Sequence, residues 1–512
     1  MPEAKEKMAY LEKEYWLTMN DGVRLDASAF TPEGEQPEGG WPSILLVHGH
    51  GDAGNKTSMF GRAKRYADRG YLTVSYSVRG QGDSEGLVSH MNARELFDLQ
   101  DVISWMLDDL PIHAEKLGVC GSSQGGWHAY MAAAHHPQVA TVVPENMDVD
   151  IAEFAVHNGC LAKWFFTRTM RRRILTAGLQ EIARQWALAG DWFRIREWVN
   201  ATSPYLFVDR IQCPIFIVHG WHDVGMPPNK TFEMFDRISS PKKMYVGGGG
   251  HDGLDSASAR DVRTELIDRW LDYWLKGEDN GIMQEPAIMY TQRPGWAHVE
   301  AGTFPPDGVE IQLLYLNANE PEQAVPDKLD ETFEVLRPQA VRALTDEAPS
   351  GASIHSNITN RPMNPKYGLA DALNDDMAGV ADALAREVIE FASAPVDKAM
   401  EIAGSPVAKL FLMPNRPQCQ VVVDLYDVSD DGKRNLISRG QFGTRVAEPG
   451  QHLMAEIEMR TIGYAVEAGH HLLLEVSNYD TTYAFPYFEP CVSRLFHDTQ
   501  HPSLIELPVR VL

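Results

Sequence analysis

Cysteine is scarce in this sequence, and its five cysteines are scattered along 512 residues. They form no Cys-x-x-Cys pair and no cysteine–histidine ligand spacing, so neither a disulfide framework nor a zinc site is predicted. Long apolar runs are absent too, because no stretch of about 18 apolar residues occurs. The first residues, Met1-Pro-Glu-Ala-Lys-Glu-Lys, contain no apolar segment of the kind a signal peptide requires. We therefore expect no membrane span and a cytoplasmic location.

Basic residues are fewer than acidic ones, with 46 Lys and Arg against 71 Asp and Glu. The formal net charge is therefore −25. Neutralising phosphates requires clustered Lys and Arg, so neither nucleic acid nor an anionic membrane is expected as a partner. The remaining composition is that of a globular protein, and the length is too great for one hydrophobic core. Two or three domains are expected, and a homo-oligomer is left open.

The first half of the chain alternates short apolar runs with segments of helical pattern. Runs without polar alternation suit strands that are buried on both faces, as in a parallel sheet covered by helices. Asn20-Asp-Gly22 is a hairpin signal and predicts antiparallel strands at one edge. The predicted parallel strands are Ile44–Val47, Tyr71–Val78, Leu117–Cys120, Thr141–Val143, Ile215–Val218 and Met244–Val246.

Two further regions depart from this pattern. Between the fourth and fifth parallel strands lies an insertion, residues 148–205, whose helical spacing and many Trp and Phe residues predict a small cap. After residue 282, strands and turns replace the helices, which predicts a β-sandwich or jelly roll. The predicted fold class is therefore α/β, with a catalytic core at 1–147 and 206–282, a helical cap at 148–205 and a jelly-roll domain at 283–512.

Ser123 lies at the centre of the sequence Gly121-Ser-Ser-Gln-Gly125. A strand-like run precedes this sequence, and a helical stretch beginning at Trp127 follows it. A strand, a sharp turn and a helix, with a glycine two residues on each side of a serine, are what a nucleophile elbow requires. The glycines are needed because the tight turn leaves no room for side chains on either side. We predict that Ser123 is a catalytic nucleophile.

A serine nucleophile needs a histidine base and an acid that fixes the imidazole tautomer. Asp223 follows the strand Ile215–Val218, and His251 follows the next strand after four consecutive glycines. Both positions are at carboxyl ends of predicted parallel strands, where sites of such sheets are built. We predict Asp223 as the acid and His251 as the general base. Rival candidates for the acid are Asp148, Asp150 and Asp252.

The oxyanion of a tetrahedral intermediate needs two hydrogen-bond donors. The main-chain N–H of Gln124, the residue after the nucleophile, is the first candidate, and that of His50 is the second. The side chains of His48 and His50 are expected to serve packing or hydrogen bonding. These two histidines lack a third ligand at suitable spacing, so we predict no metal and no cofactor. The glycine-rich stretch Arg79–Gly86 lacks phosphate-binding motifs and is expected to support the rim of the site.

Several of these segments resemble the cocaine esterase and X-prolyl dipeptidyl peptidase group of α/β-hydrolases. The resemblance covers nearly the whole chain and implies an α/β-hydrolase core, a helical cap and a jelly-roll domain, acting on esters or amides without a metal or cofactor. Where members of that group carry a tyrosine after the third strand and another after the nucleophile, this chain has the His48–Asp52 stretch and Gln124. This departure favours main-chain oxyanion donors, as in general esterases. The matching segments are Val78–Gly86, Gly121–Gly126, His219–Asp223, Arg269–Gly277, Asp279–Gly281, Ala468–Leu474 and His501–Pro508.

Three hypotheses for the function remain open. The first is a carboxylic-ester hydrolase that works through an acyl-enzyme on a small-molecule ester. The second is an amide hydrolase or aminopeptidase of the X-Pro dipeptidyl-peptidase kind, in which acidic groups such as Glu145, Asp148 and Asp150 hold a substrate ammonium. The third is a non-catalytic binding protein on the same fold. As substrate-binding residues we predict Glu145, Asp148, Trp164 and Trp221.

Overall fold

The computed structural model describes residues 9–51, 54–169, 178–251, 257–317, 342–350, 355–375 and 377–512. The chain divides into two compact units. The first unit comprises Met1–Phe154, Phe165–Thr291 and His298–Gly302. The second comprises Ala155–Trp164, Gln292–Ala297 and Thr303–Leu512.

Strands and α-helices are numbered along the chain. The strands are β1 Tyr10–Thr18, β2 Arg24–Pro32, β3 Trp41–Val47, β4 Leu72–Tyr76, β5 Ile112–Ser122, β6 Val139–Glu145, β7 Val156–His157, β8 Cys160–Leu161, β9 Ile215–Gly220, β10 Lys242–Gly247, β11 Ile288–Gln292, β12 Ala297–Ala301, β13 Glu310–Asn317, β14 Arg342–Thr345, β15 His355–Pro362, β16 Leu384–Ala385, β17 Val388–Ala392, β18 Met400–Gly404, β19 Val407–Pro414, β20 Cys419–Val428, β21 Arg434–Thr444, β22 Leu453–Glu458, β23 Ile462–Val466, β24 His471–Ser477, β25 Cys491–Phe496 and β26 Leu504–Val511. The α-helices are α1 Phe60–Ala67, α2 Ala93–Asp109, α3 Gln124–His135, α4 Ile151–Ala155, α5 Leu179–Ala189, α6 Trp192–Asn200, α7 Asn229–Arg237, α8 Ala257–Leu271, α9 Leu369–Asp375 and α10 Val380–Ala383.

A ten-stranded sheet organises the first unit, in the order β1-β2-β4-β3-β5-β6-β9-β10-β11-β12. The neighbours from β4 to β11 in this order pair in parallel, and every residue of β3 and β4 is buried. Burial on both faces explains why these strands are apolar without alternation. At the other edge β1 and β2 pair antiparallel, joined by a turn in which Gly22 has φ +86°.

The sheet continues beyond the sequence boundary expected at residue 282. Strand β11 pairs in parallel with β10, from Met244 opposite Ile288 to Val246 opposite Tyr290. It therefore belongs to the first unit, although the sequence assigned it to the jelly-roll domain. This assignment could not be read from the sequence, because β11 is short and follows a segment rich in turn-forming residues, so its pattern resembles that of the strands after it.

The cap region contributes helices α4, α5 and α6, and its aromatic side chains pack mainly on one another. The Phe165 ring lies edge-on to Phe154 and Trp198, with centroids 5.5 and 6.1 Å apart, and Trp198 in turn meets Trp186 at 6.2 Å. Edge-to-face contacts at these distances are favourable aromatic geometry. Most of the aromatic excess in this insertion therefore forms a local hydrophobic cluster.

The second unit is built mainly of β-strands. Its path runs β16-β15-β25-β19-β26-β13-β14-β17-β24-β20-β21, with β18, β22 and β23 branching from it. Most neighbours are antiparallel, and alternate residues of β19 are buried, as expected for a strand with one face on a core. An α/β core, a helical insertion and a C-terminal β domain confirm the predicted fold class. Among the helices in the described part of the chain, none combines the length and the apolar character needed to cross a bilayer.

Candidate active site

Ser123 occupies a sharp turn between β5 and α3. Its backbone has φ 58° and ψ −122°, a conformation that costs a non-glycine residue energy and is concentrated at functional sites. The turn is held because the Ser123 N–H donates to the carbonyl of Glu145, at the end of β6, at 2.8 Å. The serine side chain is thereby placed at the carboxyl edge of the parallel sheet, partly exposed.

The glycines on either side of Ser123 are required by close main-chain packing. A Cβ on Gly125 would lie 2.0 Å from the carbonyl oxygen of Val47, and one on Gly121 would lie 2.4 Å from the carbonyl oxygen of Gly125. Neither contact is possible for real atoms, and both neighbours are backbone that cannot rotate away. The serine turn can therefore sit this close to β3 only because both positions lack a side chain.

His251 joins Asp223 to Ser123 through its two ring nitrogens. Its Nδ1 lies 2.7 Å from Asp223 Oδ2, and its Nε2 lies 3.0 Å from Ser123 Oγ. Since a carboxylate only accepts, Nδ1 carries the proton and Nε2 presents its lone pair to the serine hydroxyl. Asp223 Oδ1 accepts from the N–H groups of Gly225 and Met226 at 3.0 and 2.8 Å, which fixes the carboxylate. The structure thus brings the three predicted residues into one hydrogen-bonded line.

The rival acids are engaged elsewhere. Asp148 is 1 % exposed and accepts from the N–H of Asp150, while Asp150 accepts from two N–H groups of the first turn of α4. Burial raises the pKa of Asp148 well above its usual range, and the nearby carboxylates of Asp150, Glu153 and Asp223 raise it further. The surroundings of Asp148 therefore disfavour its charged form, which the role of orienting acid requires. Asp252, the third rival, lies outside the described residues.

The two predicted oxyanion donors belong to segments next to Ser123. Gln124 is the first residue of α3, so its N–H has no partner within the helix and lies at the positive helix end. The loop after β3 also passes close to Ser123, because a Cβ on Gly49 would lie 3.3 Å from Ser123 Cβ. His50 follows in the same loop. His48, two residues earlier, is fully buried. Its ring donates to the carbonyl of Gly49 and accepts from the N–H of Val78.

Two predicted substrate residues have partners within the protein. Trp221 is 0 % exposed, donates to the carbonyl of Thr291 at 2.8 Å and stacks on Phe232, so it presents no surface to a ligand. Glu145 is ion-paired with Arg62, so its charge is met inside the fold. Trp164 falls in the Ala155–Trp164 segment of the second unit and is partly exposed.

A buried polar network behind Gln124 was missed in the sequence. Gln81 donates to Gln124 Oε1, and Gln124 Nε2 donates to Glu95 Oε2, both at 2.8 Å. The predicted support role of the Arg79–Gly86 stretch thus takes the form of a contact with the residue after the nucleophile. Glu95 carries no motif that could have identified it, because it stands in the first turn of an ordinary amphipathic helix.

A histidine next to His50 of the loop after β3 was also missed in the sequence. His90 is buried, and its ring lies 6.0 Å from that of His50 and 5.7 Å from that of Phe165, centroid to centroid. Burial lowers its pKa to about 3, so the imidazole is neutral. His90 and Met91 both have positive φ, 57° and 49°, and a hydroxyl bond from Thr202 to the carbonyl of Met91 holds this strained turn.

Among the residues that the structure describes, no group of three or more His, Cys, Asp or Glu side chains has the arrangement that would hold a metal ion.

The fold and this constellation define the class of protein as an α/β-hydrolase with an appended β domain. The profile of the X-Pro dipeptidyl-peptidase (S15) family matches residues 21–253. The profile of the X-Pro dipeptidyl-peptidase C-terminal non-catalytic domain matches residues 280–490. The chain belongs to the S15 family of hydrolases, which confirms the family resemblance.

Curated relatives match only part of this chain. A protein of Bacillus cereus provisionally described as an Xaa-Pro dipeptidyl-peptidase is 22% identical over 293 residues, which are 50% of this chain and 49% of that protein. This chain thus spans about half the length of that relative. A thermostable monoacylglycerol lipase of a Bacillus species is 27% identical over 215 residues, 41% of this chain and 81% of that protein.

Solved structures match over the full length. A CocE/NonD family hydrolase of Staphylococcus aureus has a TM-score of 0.73 at 16% identity and covers 98% of this chain and 94% of its own. An α-amino acid ester hydrolase has a TM-score of 0.72 at 17% identity, with 100% and 98% covered. At these identities the likeness establishes the shared fold.

Proposed function

We propose that this protein hydrolyses carboxylic esters of small molecules through an acyl-enzyme, with Ser123 as nucleophile, His251 as general base and Asp223 as orienting acid. The observation that carries the proposal is the line of contacts from Asp223 through His251 to Ser123, with distances of 2.7 and 3.0 Å. Serine becomes a nucleophile only when a base removes its proton, and this arrangement supplies the base in the required tautomer.

In the first half of the reaction Ser123 Oγ attacks the ester carbonyl while its proton passes to His251 Nε2. Asp223 stabilises the resulting imidazolium through Nδ1–H. The imidazolium then gives its proton to the departing alkoxide, so that an alcohol leaves and the acyl group stays on Ser123. In the second half a water molecule gives its proton to His251 and attacks the acyl-enzyme, which releases the carboxylic acid and restores the serine hydroxyl.

The negative charge on the tetrahedral intermediates needs donors that are in place beforehand. We assign this task to the main-chain N–H groups of Gln124 and His50. Gln124 begins α3, so its free N–H and the positive end of the helix both favour a negative oxygen. The loop that contains His50 runs close to Ser123, since a Cβ on Gly49 would lie 3.3 Å from Ser123 Cβ.

Several contacts favour an uncharged acyl group over one with a free ammonium. Of the carboxylates predicted to hold an ammonium, Glu145 is ion-paired with Arg62, and Asp150 Oδ1 caps α4. Asp148 is 1 % exposed, and burial raises its pKa, which disfavours its charged form. A substrate ammonium would therefore have to displace Arg62, reach a buried carboxyl group or share Asp150 with the helix cap. This argues for simple esters as the substrates.

The alternative is an amide hydrolase of the X-Pro dipeptidyl-peptidase kind. It is favoured by the description of the family profile, whose match includes Ser123, Asp223 and His251. The same proton transfers apply, with the leaving amine protonated in place of an alkoxide. What separates the two functions is the recognition of the substrate and not the triad.

The first experiment tests for the active serine. A fluorophosphonate probe should label Ser123, found by mass spectrometry of the labelled peptide, and Ser123→Ala should neither be labelled nor hydrolyse p-nitrophenyl esters. Ser122→Ala, one residue earlier, is the matched control for the labelling. A wild-type protein that resists the probe would support the non-catalytic alternative.

The second experiment tests the substrate class. We compare kcat/KM for aryl esters with a neutral acyl group against X-Pro anilides with a free amino terminus. The ester proposal expects the neutral esters to be preferred by at least tenfold. A strong preference for the anilide, lost when its amine is acetylated, would establish the alternative function.

A further inference from the structure

Glu95 is a fully buried carboxyl group behind the residue that follows the nucleophile. It stands in the first turn of α2, three residues after the cap Asn92, a spacing that often marks a local helix-capping role. Here its oxygens contact two residues that precede the helix and, in addition, a residue of α3. Oε2 accepts from Gln124 Nε2 at 2.8 Å and Oε1 accepts from Ser89 Oγ at 3.0 Å, while the N–H of Met91 also donates to the carboxylate.

Gln124 is consequently held from three directions. Its side-chain amide is fixed between Gln81 and Glu95, with both contacts at 2.8 Å. Its main-chain carbonyl accepts from His128 Nδ1, also at 2.8 Å. Such an arrangement limits the positions that the N–H of Gln124 can take relative to Ser123. An oxyanion donor is effective only when it is in place before the charge develops.

We propose that Glu95 is a positioning residue for the oxyanion hole: its carboxylate holds Gln124, and protonation of Glu95 loosens this hold. The inference rests on the proposed function, because it assumes that the N–H of Gln124 stabilises an oxyanion. Gln124 and Met91 present N–H groups, which can only donate, and the Ser89 hydroxyl donates in this structure, so the ionised form accepts from all three. The protonated form carries a hydrogen on one oxygen and loses acceptor capacity on that side.

Burial is what places this titration in the physiological range. The pKa of Glu95 is raised to about 7, because burial, with a smaller contribution from the charge of Asp98 on the same helix, outweighs the lowering effect of the bonds from Gln124, Ser89 and Met91. Because the native carboxyl changes state near neutral pH, the position of Gln124 should depend on pH there.

Other titratable and charged groups also face this carboxyl. From α3, His128 Nε2 lies 3.8 Å from Glu95 Oε2, and burial lowers the pKa of this histidine to about 4, so it stays neutral. From β4, the Tyr76 hydroxyl is buried, with a pKa far above its usual value. Asp98 is ion-paired with Arg79 and Arg94. Near pH 7, Glu95 is therefore the member of this group whose charge changes.

The experiment compares wild-type protein with Glu95→Gln, which imitates the protonated form. The readout is the rate at which a fluorophosphonate modifies Ser123, since the phosphonyl oxygen uses the same donors whatever the natural substrate. Dividing one rate by the other removes the pH dependence of His251, which both proteins share. Asp108→Asn, an exposed carboxyl on the same helix, is the matched control.

We expect the ratio of wild-type to variant rates to be close to one near pH 5.5, where Glu95 is protonated, and to rise with a midpoint near 7. At about pH 8.5 it should reach roughly tenfold or more, since a misplacement on the order of 1 Å can cost about 100-fold. A ratio that is the same at every pH, in a folded variant, would overturn the inference.

Ser89→Ala provides a second test that does not depend on the folding of the Glu95 variant. Removing one donor to the carboxylate should raise the pKa of Glu95 further, so an inflection of the labelling rate should move to higher pH. An inflection that does not move would contradict the role of Glu95. Failure of the wild-type protein to react at any pH would instead refute the proposed function.

Discussion

Asp223→Asn gives the sharpest test of the site, because the structure dictates how the new amide must lie. Asp223 Oδ1 accepts from the N–H groups of Gly225 and Met226, and Oδ2 faces His251 Nδ1. An asparagine keeps the two turn bonds only if its oxygen takes the Oδ1 place. Its NH₂ group then faces His251, and the reverse orientation would leave two buried N–H groups unsatisfied.

The consequence is a change of tautomer at the base. A donor facing Nδ1 forces that nitrogen to accept, which moves the imidazole proton to Nε2, against Ser123 Oγ. A protonated Nε2 cannot take the serine proton. Where this tautomer exchange has been made in such triads, the rate falls on the order of 10⁴, which corresponds to about 5 kcal/mol in the barrier.

The assay is kcat for p-nitrophenyl ester hydrolysis, with thermal unfolding as the check on the fold. We expect the variant to lose roughly 10⁴ in kcat while its unfolding temperature stays close to that of the wild type, because the turn bonds remain. Asp236→Asn, an exposed carboxyl on α7, is the control. A folded Asp223→Asn protein within tenfold of the wild-type rate would refute the assignment, and a 10⁴ loss in Asp148→Asn alone would move the acid role to that residue.

Three further predictions concern the framework of the site. Gly125→Ala should destabilise the protein by roughly 3 kcal/mol in denaturant unfolding, because the new Cβ would lie 2.0 Å from the carbonyl oxygen of Val47. The same change should abolish labelling of Ser123. An active, stable variant would contradict this close packing. The pKa of Glu95 is raised to about 7 in the native state. The native state therefore binds more protons than the unfolded state between about pH 4.5 and 7. As the pH rises through that window, the contribution of Glu95 to the free energy of unfolding should fall by about 3 kcal/mol. Glu95→Gln should remove that slope in pH-dependent unfolding, and an unchanged slope would contradict the shift. Lys56→Met should lower the free energy of unfolding by roughly 3–5 kcal/mol, because it leaves the buried carboxylate of Asp26 without its ion-pair partner at 2.6 Å. Urea unfolding measures this difference. A loss below about 1 kcal/mol would show that the ion pair is dispensable.

The local signals in the sequence were sufficient for the nucleophile turn. Glycines at 121 and 125 around a serine, between an apolar run and a helical stretch, predict a geometry that neighbouring residues alone decide. The close approach of Val47 to Gly125 explains the glycine requirement in atomic terms. The strands were predictable for a similar reason, since burial on both faces leaves an uninterrupted apolar run.

The choice of the acid could not be made from the sequence with the same certainty. Asp148, Asp150 and Asp223 all follow strands of one sheet, and their spacing along the chain does not rank them. The choice depends on which carboxylate the imidazole of His251 reaches, at 2.7 Å from Asp223, and on which ones main-chain donors or burial engage elsewhere.

The sequence by itself determined the sheet, the family and the residues able to form a hydrolytic triad, because periodicity and glycine placement are properties of neighbouring residues. Only the tertiary structure decided the environment of each charged group. Glu95 and Glu145 are both glutamates near the site, but one is buried among neutral donors and the other is paired with Arg62. The free energy of a charge depends on solvent access and on partners distant in the chain, which no local pattern records.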